Sequence, residues 1–216
     1  MFPPASLGVR DAVMEDARAR RSEHAWMLAR FVCPASRLEE LGAVRGWDDA
    51  PALSVVLDED VPLPAGAPVE AIELAGPPRA GLPDVELFCE VPVEDLPAVA
   101  AAGAKAKLRC GGARVPSVEE VAAFFVAARD LELPFKATAG LHHPVRSERE
   151  HGFLNFLTAA ELARDGGDEA ELREVLASTD AEALGTGSAA ARELFVSIGS
   201  CSFSEPVEDL RALGLL

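Results

Sequence analysis

The sequence predicts an α/β fold of the TIM-type (β/α)-barrel kind. Short apolar runs alternate with helical patterns along the chain, the signature of a parallel sheet with helical crossovers. Several of these runs carry charged residues at every second position, which collects the charges on one face of the sheet. The charged runs also follow one another closely, as strands around a common interior would.

Taken in order, residues 11–24 are rich in helix-forming Ala, Arg and Glu, and residues 26–33 (WMLARFVC) read as the first strand. A short helix is expected over 36–41. Residues 53–58 (LSVVLD), 69–75 (VEAIELA) and 85–91 (VELFCEV) are further strands, a helix covers 93–102, and 104–110 (AKAKLRC) is the next strand. Ser117 and Glu120 form a capping box for a helix over 117–130, whose Val118, Val121, Ala122 and Phe125 make one apolar face. Residues 134–141 (PFKATAGL) form a strand, and helices follow near 153–164 and 169–178. Residues 194–199 (LFVSIG) make the last strand, and a helix over 206–213 closes the chain.

The opening MFPPA reads as the stump of an eighth strand, and eight strands would complete a TIM barrel. Links 59–68 and 76–84, however, are rich in Pro and Gly and short of the roughly a dozen residues that a parallel crossover usually takes. The expectation is therefore one barrel domain over residues 1–216, incomplete or helix-poor on one side. No internal repeat or linker interrupts it.

A hydrophobic share of 49% beside 26% charged residues supports a packed core and opposes wholesale disorder. The formal net charge of −16 opposes nucleic acid, whose phosphates are bound by clustered Lys and Arg. It leaves room for a small anionic ligand, because a site can be locally basic inside an acidic protein. No apolar run approaches the roughly 20 residues needed to span a bilayer, and the N-terminus lacks the order of a signal peptide. Cys33, Cys89, Cys110 and Cys201 are dispersed without a C-x-x-C pair, so neither a zinc knuckle nor a disulfide framework is indicated. These features predict a cytoplasmic enzyme or binding protein with no cofactor, no nucleic-acid partner and no membrane partner. They specify no oligomeric state.

Strand parity then assigns the faces. In AKAKLRC, Ala106, Leu108 and Cys110 pack under helices and Lys105, Lys107 and Arg109 turn inward. In PFKATAG, Lys136, Thr138 and Gly140 turn inward. The same parity points Arg30, Glu73, Glu86 and Glu90 to the interior, with Asp58 at the rim. A barrel interior is normally filled by branched aliphatic side chains, so inward charges form either a structural network or a site. Two neighbouring lysines have a specific chemical use. A lysine amine attacks a carbonyl only when neutral, and a nearby cation in a low-dielectric site favours that state. A carboxylate within reach can shuttle protons; Glu73 is the candidate, with Asp58 and Glu90 as substitutes.

The run from AKLRCGG through a helix to PFKATAG, with a last strand ending GSCS before a closing helix, resembles strands six to eight of class I aldolases of the deoxyribose-phosphate type. In that family the strand-six lysine forms the Schiff base, the strand-seven lysine perturbs it, a strand-four acid assists proton transfer, and a Gly/Ser loop after strand eight contacts phosphate. The resemblance implies these roles for Lys107, Lys136 and Glu73, and for the loop of Gly199, Ser200 and Ser202. It covers about the C-terminal half. Where the family has small polar residues after the strand-six lysine, this chain has Leu108, Arg109 and Cys110. Arg109 could instead hold an anionic substrate without a covalent step.

The segment AGLHHPVR places His142 and His143 on the loop after a strand, where barrel active sites gather, with His151 and Asn155 expected on one face of the next helix. The spacing is neither H-x-H nor H-x-x-x-H, so no metal is expected. Acid–base or substrate-binding work by His142 or His143 stands beside a plain loop role. In GSCSFSEP an anion nest stands beside a capping box of Ser202 and Glu205. Two functions follow as expectations. One is Schiff-base lyase chemistry on a small anionic or phosphorylated carbonyl compound through Lys107. The other is a noncovalent isomerase or enolate-type enzyme using Lys107, Arg109, Lys136 and the histidines, with a non-catalytic ligand-binding barrel as a third possibility.

Overall fold

The computed structural model describes residues 7–216; the MFPPA stump lies outside them. The element order is α1 (Val9–Ala19), β1 (Phe31–Pro34), α2 (Leu38–Arg45), β2 (Leu53–Val56), β3 (Val69–Leu74), β4 (Glu86–Cys89), α3 (Leu96–Ala101), β5 (Lys105–Arg109), α4 (Val118–Asp130), β6 (Phe135–Thr138), α5 (Phe153–Arg164), α6 (Glu169–Ala177), α7 (Ala191–Leu194), β7 (Phe195–Gly199) and α8 (Ser204–Ala212). The strands form one parallel sheet in sequence order, β1 to β7. It curls into a half-barrel whose two edge strands face a common cavity: Val32 of β1 and Gly199 of β7 both line it. Among the described residues β1 and β7 each pair on one side only, so the complete TIM barrel is not formed there. Arg211 of α8 donates to Glu23, 2.7 Å away, tying the last helix to the segment after α1.

The expected helix-poor side is present. No helix interrupts residues 57–68 or 75–85, and both crossovers are irregular chain with bends and turns. Leu63 and Leu82 from these links cover the outer face in place of helices. Elsewhere helices supply the cover. The capping box at Ser117 and Glu120 starts α4 as the spacing predicts.

Side-chain parity follows the strand period. Outward residues Ile72, Leu74, Cys89, Ala106, Phe135, Ala137 and Phe195 join the main core, while Phe31, Cys33, Leu53 and Val55 pack on α1 and α2. Phe135 meets Phe124 and Phe125 at 5.0 Å and Phe195 at 5.3 Å between ring centroids. Each such pair contributes about 0.5–1.5 kcal/mol beyond area burial, so β6 is anchored with its alternate residues Lys136 and Thr138 facing inward.

Several boundaries differ from the sequence reading. The first strand begins at Phe31, not at residue 26, because Ala25–Met27 forms a 3-10 turn that leaves Trp26 65% exposed. α1 ends at Ala19, where Ser22 Oγ donates to the Ala19 carbonyl. β6 stops at Thr138 because Ala139 and Gly140 both take left-handed backbone, with φ of 58° and 68°. His151 is not on a helix: it precedes the N-cap Gly152 of α5, so helical spacing does not relate it to Asn155. Among the described residues no helix is long and apolar enough to cross a membrane.

Candidate functional site

Strand register sets the charged side chains beside one another. Lys107 pairs with Lys136 across β5 and β6, and two residues further on Arg109 pairs with Thr138. Val56 of β2 stands beside Glu73 of β3. The curl of the sheet then brings Glu73 to the lysines. Its carboxylate accepts from Lys136 Nζ at 2.6 Å and from Ser54 Oγ at 2.8 Å, and its other oxygen is 3.2 Å from Lys107 Nζ. Lys107 Nζ is also 3.2 Å from Glu90. Glu73, Lys107 and Lys136 are 1%, 6% and 4% exposed, so these charges sit in a low-dielectric interior. Burial opposes the Glu73 carboxylate, but Lys136 and then Lys107 overcome it and pull its pKa down to about 2. Burial lowers the Lys136 pKa; Glu73 opposes this, and the charge of Lys107 reinforces it.

Above these residues lies a cavity of about 570 Å³ at the C-terminal ends of the strands. Its lining includes Glu73, Lys107, Arg109, Lys136, Thr138, His142, Arg149, Glu150, Gly199 and Cys201. Four Lys and Arg side chains therefore face two carboxylates, in a protein whose net charge is −16. The loops after β5 and β6 close one wall. A Cβ on Gly140 would stand 2.7 Å from the Cys110 carbonyl oxygen, and Gly140 also has positive φ, so only glycine fits there. Ala139, with φ of 58°, holds a conformation that costs an L-residue about 1–2 kcal/mol, on the cavity wall itself.

The expected site residues divide. Lys107, Lys136, Glu73, Arg109, Thr138, His142 and Gly199 all line the cavity. His142 Nδ1 is 3.6 Å from Cys201 Sγ. His143 is not among the lining residues. Its Nδ1 is 2.7 Å from Asp209 on α8, and that hydrogen bond raises its pKa despite partial burial. Ser200 and Ser202 lie beside the cavity but are spent on their own turn. Ser200 Oγ donates to the Ser202 carbonyl, and Ser202 Oγ accepts from the Glu205 amide. Of the two substitutes for Glu73, Glu90 reaches Lys107, whereas Asp58 accepts from the amide and hydroxyl of Ser36. His151 is a buried loop clamp: Nε2 donates to the Pro116 carbonyl at 2.8 Å and Nδ1 accepts from Arg146 at 2.9 Å. Asn155 fastens the same loop by accepting from the Arg146 amide and donating to the Val175 and Ser178 carbonyls.

Sequence reasoning missed Ser54, Arg149 and Glu150. Ser54 was legible, since parity in LSVV turns it inward. Arg149 and Glu150 lie on an irregular loop, where no period assigns a face. Among the described residues no cluster of three or more His, Cys, Asp or Glu is arranged to hold a metal ion. No family model, curated protein or solved structure matches this chain.

Proposed function

We propose that the protein is an enzyme acting on a small anionic carbonyl compound by Schiff-base chemistry, with Lys107 as the amine. The observation that carries this reading is the Glu73 carboxylate buried between Lys107 and Lys136, at the base of a cavity whose charged lining residues are mainly basic. Lys136 donates to Glu73 at 2.6 Å, whereas Lys107 lies 3.2 Å from both Glu73 and Glu90, so Lys107 is the amine with two carboxylates in reach for proton transfer. Its Nζ adds to the carbonyl carbon, the carbonyl oxygen leaves as water after protonation, and an iminium remains. Counted from the ammonium, Nζ gives up two protons by way of Glu73 or Glu90, and both reach the departing oxygen, so the iminium keeps the single positive charge. The lyase outcome, of the aldolase type on a barrel scaffold, rests on the resemblance in the C-terminal half.

A second reading has an observation of its own. With its pKa near 2, Glu73 stays ionised and holds two ammonium groups in place. Together with Arg109 these could stabilise an enolate without a covalent bond. Borohydride trapping with small aldehydes and ketones, followed by peptide mass mapping, separates the two. Lys107→Ala should abolish the adduct. Lys136→Ala should slow its formation, since it removes the cation that holds the Glu73 carboxylate beside Lys107. An adduct that survives Lys107→Ala, or none with any carbonyl tried, overturns the Schiff-base reading.

A further inference from the structure

We infer that Arg109 and Arg149 form an anion clamp across the cavity mouth, and that the ligand is a short carbonyl compound with its phosphate or carboxylate roughly five bonds from the carbonyl carbon. The carbonyl end rests on the Schiff-base reading; the clamp rests on its own geometry. Arg109 stands two strand positions beyond Lys107, a rise of about 6.6 Å, and that spacing sets the ligand length. Its nearest carboxylate, Glu90, is 4.0 Å away and already paired with Lys107 at 3.2 Å, so the guanidinium is only weakly engaged. Arg149 enters the same cavity from the loop after β6, and its guanidinium has no ion-pair partner among the described residues. Between β5 and β7 lies Thr138, the register partner of both Arg109 and Gly199. Its Oγ1 is buried and has no hydrogen-bond partner among the described residues. A buried hydroxyl left unpaired is destabilising, and a turn about χ1 towards the cavity would let it donate to a bound anion.

The competing anion site, the turn after β7, is chemically poorer. The Ser200 and Ser202 hydroxyls are consumed within the turn, and Glu205 follows at once. Gly112, with φ of 99°, brings the β5 loop backbone under Arg109: a Cβ there would lie 3.7 Å from Nε. Two planar guanidinium forks suit a tetrahedral phosphate or a flat carboxylate, and neither requires the turn.

Calorimetric titration of the full chain with inorganic phosphate and with succinate, at fixed ionic strength, tests the clamp. The wild type should bind at least one anion saturably, and the tighter of the two identifies the head group. Arg109→Ala and Arg149→Ala should each weaken binding about tenfold or more. Arg114→Ala removes the same charge from the surface, where Arg114 pairs with Glu120, and should change binding by less than about twofold. Absence of saturable binding overturns the clamp, as does binding that survives both arginine variants and is lost in Ser202→Ala. Borohydride trapping of neutral propanal by the wild type reports on the amine alone. Failure of that reaction beside normal anion binding would count against Lys107 and leave the clamp standing.

Discussion

Two ionic clusters occupy the interior, and they differ in what their charges leave over. Towards the N-terminal ends of the strands, Arg30 pairs with Glu70 and Glu86, and Lys105 pairs with Glu86. Among the described residues two cations meet two carboxylates, every member is partly open to water, and none lines the cavity. Towards the C-terminal ends, Lys107, Lys136 and Arg109 meet Glu73 and Glu90, with Glu73 and both lysines buried. Phe88 touches both clusters, its ring centroid 5.8 Å from Lys105 Nζ and 5.0 Å from Lys136 Nζ. Strand parity makes the two clusters look alike. Surplus positive charge and the open space above it distinguish the second, and those are the features a site for an anion needs.

Removing one acid from each cluster is the strongest way to break this comparison. Glu73→Gln strips the carboxylate from two buried ammonium groups and should cost about 3–5 kcal/mol in urea unfolding, because buried charges are left uncompensated. Glu86→Gln, where water can take over the solvation of its partners, should cost about 1 kcal/mol or less. Equal losses would mean that the two clusters are one structural network.

Acid sharpens the same contrast. The Glu73 pKa is lowered from 4.5 to about 2, so its stabilisation is complete above pH 4.5 and is lost as the pH falls through about 2. Circular dichroism against pH should show Glu73→Gln unfolding without that final acid step. The smallest effect belongs to His143, whose pKa is raised above 6.5 by Asp209. Its contribution is present below pH 6.5 and is lost as the pH rises through the folded-state value. His143→Gln should therefore flatten the slope of Tm with pH just above 6.5. A slope unchanged by the substitution would show that the link to α8 carries no stability.

Much of this is legible in the sequence. The inward positions of Lys107, Lys136 and Glu73 follow from period-two alternation, and so does the outward set of Ala106, Phe135 and Ala137. The helix-free links at 57–68 and 75–85 were visible as short Pro- and Gly-rich stretches. Ser200 and Ser202 read equally well as a nest or as a cap, because one hydroxyl serves either and only the partner tells them apart. Position on the loop leaves His142 and His143 as alternatives for the cavity mouth, because adjacent loop residues need not share a direction; His142 lines it and His143 turns to α8.

By itself the sequence determined the parallel α/β order, the parity of each strand and the presence of charge inside, since all three depend on residues close together in the chain. Tertiary structure decided that Glu73 lies between Lys107 and Lys136, that Arg149 reaches the cavity and that Ser54 completes the shell of Glu73. Those contacts depend on how far the sheet curls and where the irregular loops fold back. Both are set by packing summed over the whole core, which local periodicity does not encode.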